Sequence, residues 1–446
     1  MKVKSKKNLV IIGIISLLYF LYRVANSLIV DSLFDDYDSP NYFKLSFFPT
    51  IRTHGITLFF SLIKNESLIS VFQAAVGALV WIYLWLSILF KIRNMILKVL
   101  FSILFFILAS SSVVVEHDSA MMSESLSISS TIFLFSSAIN LKKESVKNSL
   151  VEVYIFAFAI IWFMSTKATN SLIFIPLATI MVFTSYRKLS TPRFFQLFCS
   201  FFVLATFLFL SVLASDATQS LTTSGTINNR LIFVPEWKEQ LMKTGYPESA
   251  FITWERFSQE NLGLPPDQAV VSLPEFEKWW EQGGDSYLLN FTLRNPNYAL
   301  IAPVALPLFS ENFNYKKTLL SGWSQGTDLT FDYAQFNNSL LMRTFLWPDE
   351  PEKAYLLLSV TFLTIGLSLA FLNNFNFTNE FSIIIFSIIL TVFWSYLNWW
   401  FGSKPADMAR HNLSAAILFK IIAIYAITVS IDKILAIRKI DVVKLH

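Results

Sequence analysis

Cysteine is nearly absent. The 446-residue chain holds one, Cys199, inside an apolar run, which leaves no route to an intrachain disulfide framework or a CxxC metal site. Histidine is scarce as well, at four residues, so a histidine-built metal centre has little to draw on. Charged residues make up 15% of the chain, where soluble domains sit near a quarter. The net charge is +4 and the bases fall in short clusters between apolar runs, which is not the footprint of a nucleic-acid binder. No internal repeat is visible. What fills the chain instead is apolar: 54% of residues are hydrophobic and the mean hydropathy is +0.53. Those values define an integral membrane protein.

Apolar runs of spanning length recur at about Leu9–Val30, Leu68–Phe90, Ile96–Val115, Met122–Asn140, Val151–Ser165, Asn170–Tyr186, Phe194–Ala214, Tyr355–Leu372, Phe381–Phe401 and Leu413–Ile431. They predict about 10 transmembrane helices, each near the roughly 20 residues a bilayer requires. Val151–Ser165 and Asn170–Tyr186 are the short ones and read as a tight pair. The first run follows a basic start, KVKSKK, but is longer than a signal-peptide core and lacks a clean cleavage site, so it reads as the first span. Basic clusters at Lys2–Lys7, Lys91–Lys98, Lys142–Lys147, Arg187–Arg193 and Lys433–Lys444 fall in alternate connections. Lys and Arg gather on the cytoplasmic side, so both termini are expected inside.

The expected organisation is an N-terminal membrane region over 1–215, an external domain over 216–354 and a C-terminal membrane region over 355–446. The long polar segment carries Trp237, Trp254, Trp279, Trp280, Trp323 and Trp347 and is too long for a bare connector. ESAFITWERFSQENL and SLPEFEKWWEQ read as short amphipathic helices, the second opened by a Ser272/Glu275 capping pattern. The stretch 290–309, broken by Pro296, Pro303 and Pro307, reads as an interfacial or re-entrant piece.

Candidate chemistry lies in the outward loops, 31–67 and 115–124, and in two later turns. Asp35, Asp36 and Asp38 crowd the first loop. A carboxylate held beside apolar walls can serve as a general base; the plain alternative is a solvated acidic loop. Glu116, His117 and Asp118 precede the fourth span and Glu124 enters it. An ionisable group at that depth calls for a cavity or a partner, and the candidates for Glu124 are Arg52, Lys167, a metal or a substrate. His117 reads as a solvated loop residue. One histidine among carboxylates Asp36, Glu116 and Asp118 suits a hard divalent cation, Mg or Mn, better than zinc. Arg52, in Pro49-Thr50-Ile51-Arg52-Thr53-His54-Gly55, is presented by a turn and suits bidentate contact with phosphate, or simple snorkelling. Arg410 and His411 sit before the last span on a side that should be poor in bases, as a phosphate headgroup there would explain. Lys167 lies in the turn STKAT, and Arg23 sits about two turns below the Asp31 loop, placed to snorkel or to pair with an aspartate.

In order, DDYDSPNY, PTIRTHG, SVFQAAVGAL, SAMMSESLS, STKAT, the large loop and Arg410–His411 resemble the bacterial GT-C membrane glycosyltransferases, relatives of protein O-mannosyltransferases and of the lipid A aminoarabinose transferase. The likeness is densest over roughly the first 190 residues. It implies an all-α polytopic GT-C-like fold with a small, mainly helical external domain. It also implies a multi-pass enzyme of the bacterial inner membrane, its active site facing the periplasm or exterior. The implied reaction moves a sugar from a polyprenyl-phosphate donor to a lipid, glycan or protein acceptor. Asp38, with Asp36 beside it, carries over as catalytic base and Glu124 as the second acidic residue. Arg52, Lys167, Arg410, His411 and Tyr42 carry over to substrate binding. His411 stands where Tyr is commoner, and His54 where Pro often precedes Gly. A transporter or flippase of lipid-linked sugars is the main competing reading, although such proteins favour repeats and midplane charges. A surface-polysaccharide ligase or polymerase is another, although the large loop holds no histidine.

Overall fold

The computed structural model describes residues 2–29, 54–119, 123–140, 146–172, 203, 205–206, 216–260, 266–302, 351–374, 377–401 and 412–444. Every regular element among them is helical. The membrane part begins with α1 (Lys2–Ile29), α2 (His54–Ile63), α3 (Glu66–Leu89) and α4 (Met95–Ala109). Two starts follow from single asparagines. Asn65 Oδ1 accepts the Leu68 N–H at 3.0 Å, and Asn94 Oδ1 accepts those of Ile96 at 2.9 Å and Leu97 at 3.2 Å. Both satisfy backbone donors that a helix start leaves free.

The run expected as one span over Ile96–Val115 breaks. It resumes as α5 (Ser112–Val115) and a 3-10 turn, Glu116–Ser119, bent by 56° from α4. The break falls at the serine-rich step Ser110–Ser111. Ser111 Oγ turns back onto the Leu108 carbonyl at 2.8 Å, a local bond that competes with helix continuation. Two tyrosines of α1 supply donors for the carbonyls near the end of α4: Tyr19 Oη to Ala109 O at 3.1 Å and Tyr22 Oη to Ser110 O at 3.2 Å.

Next come α6 (Glu124–Asn140), α7 (Val146–Thr166) and the short α8 (Ala168–Ser171). Helix α6 is the hub, with 15 of its 17 residues buried. It is serine-rich, and Ser130, Thr131, Ser136 and Ser137 each donate to a carbonyl three or four residues back. Small side chains with internally satisfied hydroxyls let helices approach closely where no hydrophobic force separates helix from lipid. Helix α3 packs on both α6 and α1, and α7 packs on α6.

A group of shorter helices, expected outside the membrane, follows: α9 (Asp216–Asn229), α10 (Pro235–Met242), α11 (Glu248–Glu260), α12 (Pro266–Val271), α13 (Pro274–Glu281) and α14 (Tyr287–Arg294), then a π-turn at Asn297–Ile301. The helices expected within 248–262 and 272–282 are present as α11 and α13. The Ser272 cap is not: α13 starts with Leu273 as N-cap and Pro274 at its first position, and Ser272 Oγ instead bonds Ala269 O at 2.8 Å. Proline at that position needs no N–H partner and presets φ, which makes a side-chain cap dispensable. Trp254 and Trp279 are buried, and Trp237 and Trp280 pack against the same core with Tyr246, Phe276, Phe291 and Tyr298. These four tryptophans build a hydrophobic core; Trp323 and Trp347 lie outside the described residues.

The chain ends with α15 (Pro351–Asn374), α16 (Thr378–Phe401) and α17 (Leu413–Lys444). Helices α15 and α16 pack on α17, which also meets α6 and α4. Asp432 of α17 accepts the backbone N–H groups of Arg93 at 3.0 Å and Asn94 at 2.9 Å, pinning the α3–α4 turn. Five described helices are long and apolar enough to cross a membrane, or six if the bent α4 pair counts as one. α1 buries 11% of its apolar window and α17 buries 78%, so α1 presents most of its surface outward and α17 runs through the interior. The expected spans at 170–186 and 194–214 lie almost wholly outside the described residues. Arg230 fastens the group of shorter helices to α16: its guanidinium lies 4.4 Å over the Trp399 ring and donates to the Trp399 carbonyl. Trp399 and Trp400 in turn donate to the carbonyls of Tyr298 and Ala299, each at 2.9 Å.

Candidate functional site

The break after α4 drives the 3-10 turn into the bundle, and the site forms around it. Asp118 is fully buried and Arg23 is 1% exposed. Arg23 Nε meets Asp118 Oδ2 at 2.7 Å and its second terminal nitrogen meets Oδ1 at 3.0 Å. This two-point fit between planar groups is the strong form of an ion pair. Ser125 Oγ donates to Asp118 Oδ1 at 2.7 Å, and Gln73 Nε2 donates to the Asp118 backbone carbonyl at 2.9 Å. Tyr19 Oη accepts from the remaining Arg23 nitrogen at 3.1 Å. Gly77 makes the space: a Cβ there would stand 2.7 Å from an Arg23 terminal nitrogen.

A second ion pair lies close by in the chain. Lys167 Nζ, from the turn between α7 and α8, sits 3.0 Å from Glu124 Oε1 in the first turn of α6. Lys167 keeps 11% side-chain exposure, so this pair is less enclosed than Arg23–Asp118. A polar seam continues from it. Asn170 Nδ2 donates to Ser127 Oγ at 3.2 Å and Thr166 Oγ1 at 3.0 Å. Ser414 Oγ stands 3.4 Å from Ser127 Oγ, and Asn398 Nδ2 donates to Asn412 Oδ1 at 2.7 Å. The seam therefore runs to the chain position next to Arg410–His411.

Of the expected site residues, Glu124 and Lys167 come together, as one of the candidate pairings. Arg23 pairs with an aspartate, but one 95 positions away rather than in the adjoining loop. His117 is a correction. The reading as a solvated loop residue fails because the turn is buried; the ring is fully enclosed, with Nδ1 2.9 Å from Val113 O. A carbonyl partner requires a proton on Nδ1. Glu116 is buried too. Asp36, Asp38, Tyr42, Arg52, Arg410 and His411 lie outside the described residues.

As for the expected cation, both Asp118 oxygens are engaged by Arg23 and Ser125, and no three His, Cys, Asp or Glu side chains converge among the described residues. The described members of that set do not fit a metal centre. Sequence reading missed Gln73 as a ligand of the turn, Ser125, Gly77 and Asn170; only Gln73 carried a signal, as a polar residue opening an apolar span. The described fold and site together define an all-helical membrane protein with one buried ion pair just before its central helix and a second, part-exposed pair in that helix's first turn. Family models, curated proteins and solved structures were compared with the chain, and none matches.

Proposed function

We propose that the protein is a GT-C-like glycosyltransferase with about ten spans. It moves a sugar from a polyprenyl-phosphate donor to a lipid, glycan or protein acceptor at the outer face of a bacterial inner membrane. The observation that carries this reading is the Glu124–Lys167 pair. Two members of the ordered motif set, 43 positions apart, meet at 3.0 Å at the rim of the bundle. An apolar groove between α1 and α4, lined by Ile15, Tyr19, Tyr22, Phe106 and Ile107, adds a place for a lipid chain beside the polar site.

In this reaction Asp38, with Asp36 beside it, takes the proton from the acceptor hydroxyl. The freed oxygen attacks the anomeric carbon, the bond from that carbon to the phosphate oxygen breaks, and polyprenyl phosphate leaves with the electron pair. One displacement inverts the anomeric centre. Lys167, Arg52 and Arg410 offset the charge developing on the leaving phosphate; fixed charges aimed at that point lower the barrier more than any other feature of such a site. His411 and Tyr42 complete the donor contacts. Glu124 positions Lys167, and releasing it toward phosphate exchanges one anionic partner for another.

The test offers radiolabelled polyprenyl-phosphate sugars to membranes holding the wild type, Asp38→Asn or Glu124→Gln. Consumption of one donor by the wild type, lost in a folded Asp38→Asn protein, is the expected result. Binding of donor without consumption in every form refutes the transferase and favours a flippase of lipid-linked sugars.

A further inference from the structure

The shorter helices hold a cleft of about 540 Å³ that the transfer chemistry does not use. Its floor is the edge of Trp279 with Tyr287 and Phe291; its rim carries Gln282, Asn290 and Arg294. Gly283 and Gly284 shape the wall. Gly283 has φ of +114°, and a Cβ on Gly284 would stand 2.6 Å from the Trp279 ring, so both positions favour glycine. The size falls within the range of small-molecule sites, and so does the make-up of an aromatic floor with a few converging polar groups.

We propose that this cleft binds a short acidic saccharide. Aromatic surfaces accept the C–H faces of sugar rings, and carboxamides offer donor and acceptor together, as vicinal hydroxyls require. The Tyr287 side chain is part-exposed and lines the cleft, which gives a sugar ring an aromatic surface to meet. Among the described residues, no carboxylate lines the cleft. Lys243 at its edge is already held by Glu239 at 2.7 Å, whereas Arg294 is exposed and has no ion-pair partner among the described residues. Arg294 therefore selects a saccharide bearing a carboxylate or phosphate.

The test uses the full chain in lipid nanodiscs, with tetragalacturonate and uncharged chitotetraose as probes, and reads binding by calorimetry and saturation-transfer NMR. Because it reads binding rather than transfer, its outcome is separate from the fate of the transferase reading. Saturable binding of tetragalacturonate is expected. Arg294→Gln, at an exposed position, is expected to weaken it about tenfold, and Tyr287→Leu, which keeps an apolar side chain but removes the aromatic ring, about fivefold. No saturable binding of either probe up to about 10 mM, or equal affinity in wild type and both variants, overturns the site. Binding of chitotetraose alone overturns its acidic preference.

Discussion

Removing one member of the Arg23–Asp118 pair tests the organisation of the bundle most directly. Both side chains are about 1% exposed, the contact is two-pointed at 2.7 and 3.0 Å, and Ser125 and Tyr19 complete the shell. Asp118→Asn keeps the shape but leaves a guanidinium charge buried without a counter-charge. Arg23→Met keeps most of the volume but leaves a carboxylate with Ser125 as its remaining described donor. Breaking a buried pair from one side costs about 3–5 kcal/mol, or about two to three and a half decades in the folding equilibrium. The double variant, Arg23→Met with Asp118→Asn, removes both charges, and replacing a whole buried pair is often neutral. It is expected to recover most of the loss, so that single losses summing to about 6–10 kcal/mol against a near-neutral double give a coupling of about 5 kcal/mol or more, above the usual range for contacting residues. The assay is SDS-titrated unfolding of the purified protein in mixed micelles, followed by tryptophan fluorescence. Single variants that each cost under about 1 kcal/mol, or losses that simply add in the double, would refute the reasoning.

Gly77→Ala sets a Cβ 2.7 Å from one Arg23 nitrogen and 2.8 Å from Cζ; because Asp118 holds that side chain, the clash is expected to cost about 1–3 kcal/mol and to vanish in the Arg23→Met background, read by the same titration. Burial holds the hydroxyls of Tyr246, Tyr287 and Tyr298 above the ordinary phenol range. A raised folded value means that the native state keeps protons the unfolded chain gives up, so their contribution is complete below about pH 10 and falls as pH rises beyond it. Near-ultraviolet circular dichroism of the tryptophans in the shorter helices should therefore lose stability above about pH 10, less steeply in Tyr246→Phe; a flat profile through that range contradicts the burial.

The all-helical membrane class was legible because it rests on composition, and helix positions in the clear apolar runs followed from length. What escaped notice depends on contacts far apart in the chain. The Ile96–Val115 run carries no proline or glycine, and its break needs Tyr19 and Tyr22 of α1 beside the carbonyls of Ala109 and Ser110. The same break buries Glu116, His117 and Asp118, which local polarity marks as a wet loop. Arg23 lies close in sequence to several aspartates, and nothing local prefers Asp118. Glu124 and Lys167 were legible because each breaks a local rule, a charge at the edge of an apolar run. The tryptophans of the long polar segment were visible as a cluster, but composition does not separate a packed core from a set of interfacial anchors.

The two ion pairs are not equivalent, and the difference assigns their roles. Asp118 has both carboxylate oxygens occupied, and Gln73 holds the backbone of its residue. A group satisfied so completely is poorly placed to accept a proton or to meet a ligand, and its removal disturbs the packing of α1, α3 and α6 together. That is the behaviour of a structural fastener. Glu124 and Lys167 meet at 3.0 Å, Ser123 Oγ stands 3.4 Å from the other Glu124 oxygen, and Lys167 keeps 11% side-chain exposure. A pair that keeps some exposure exchanges partners at lower cost than a fully enclosed one, because each half regains water or a new counter-ion as the other leaves. Ser125 bonds Asp118 and directly follows Glu124, so the enclosed pair fixes the helix turn that presents Glu124.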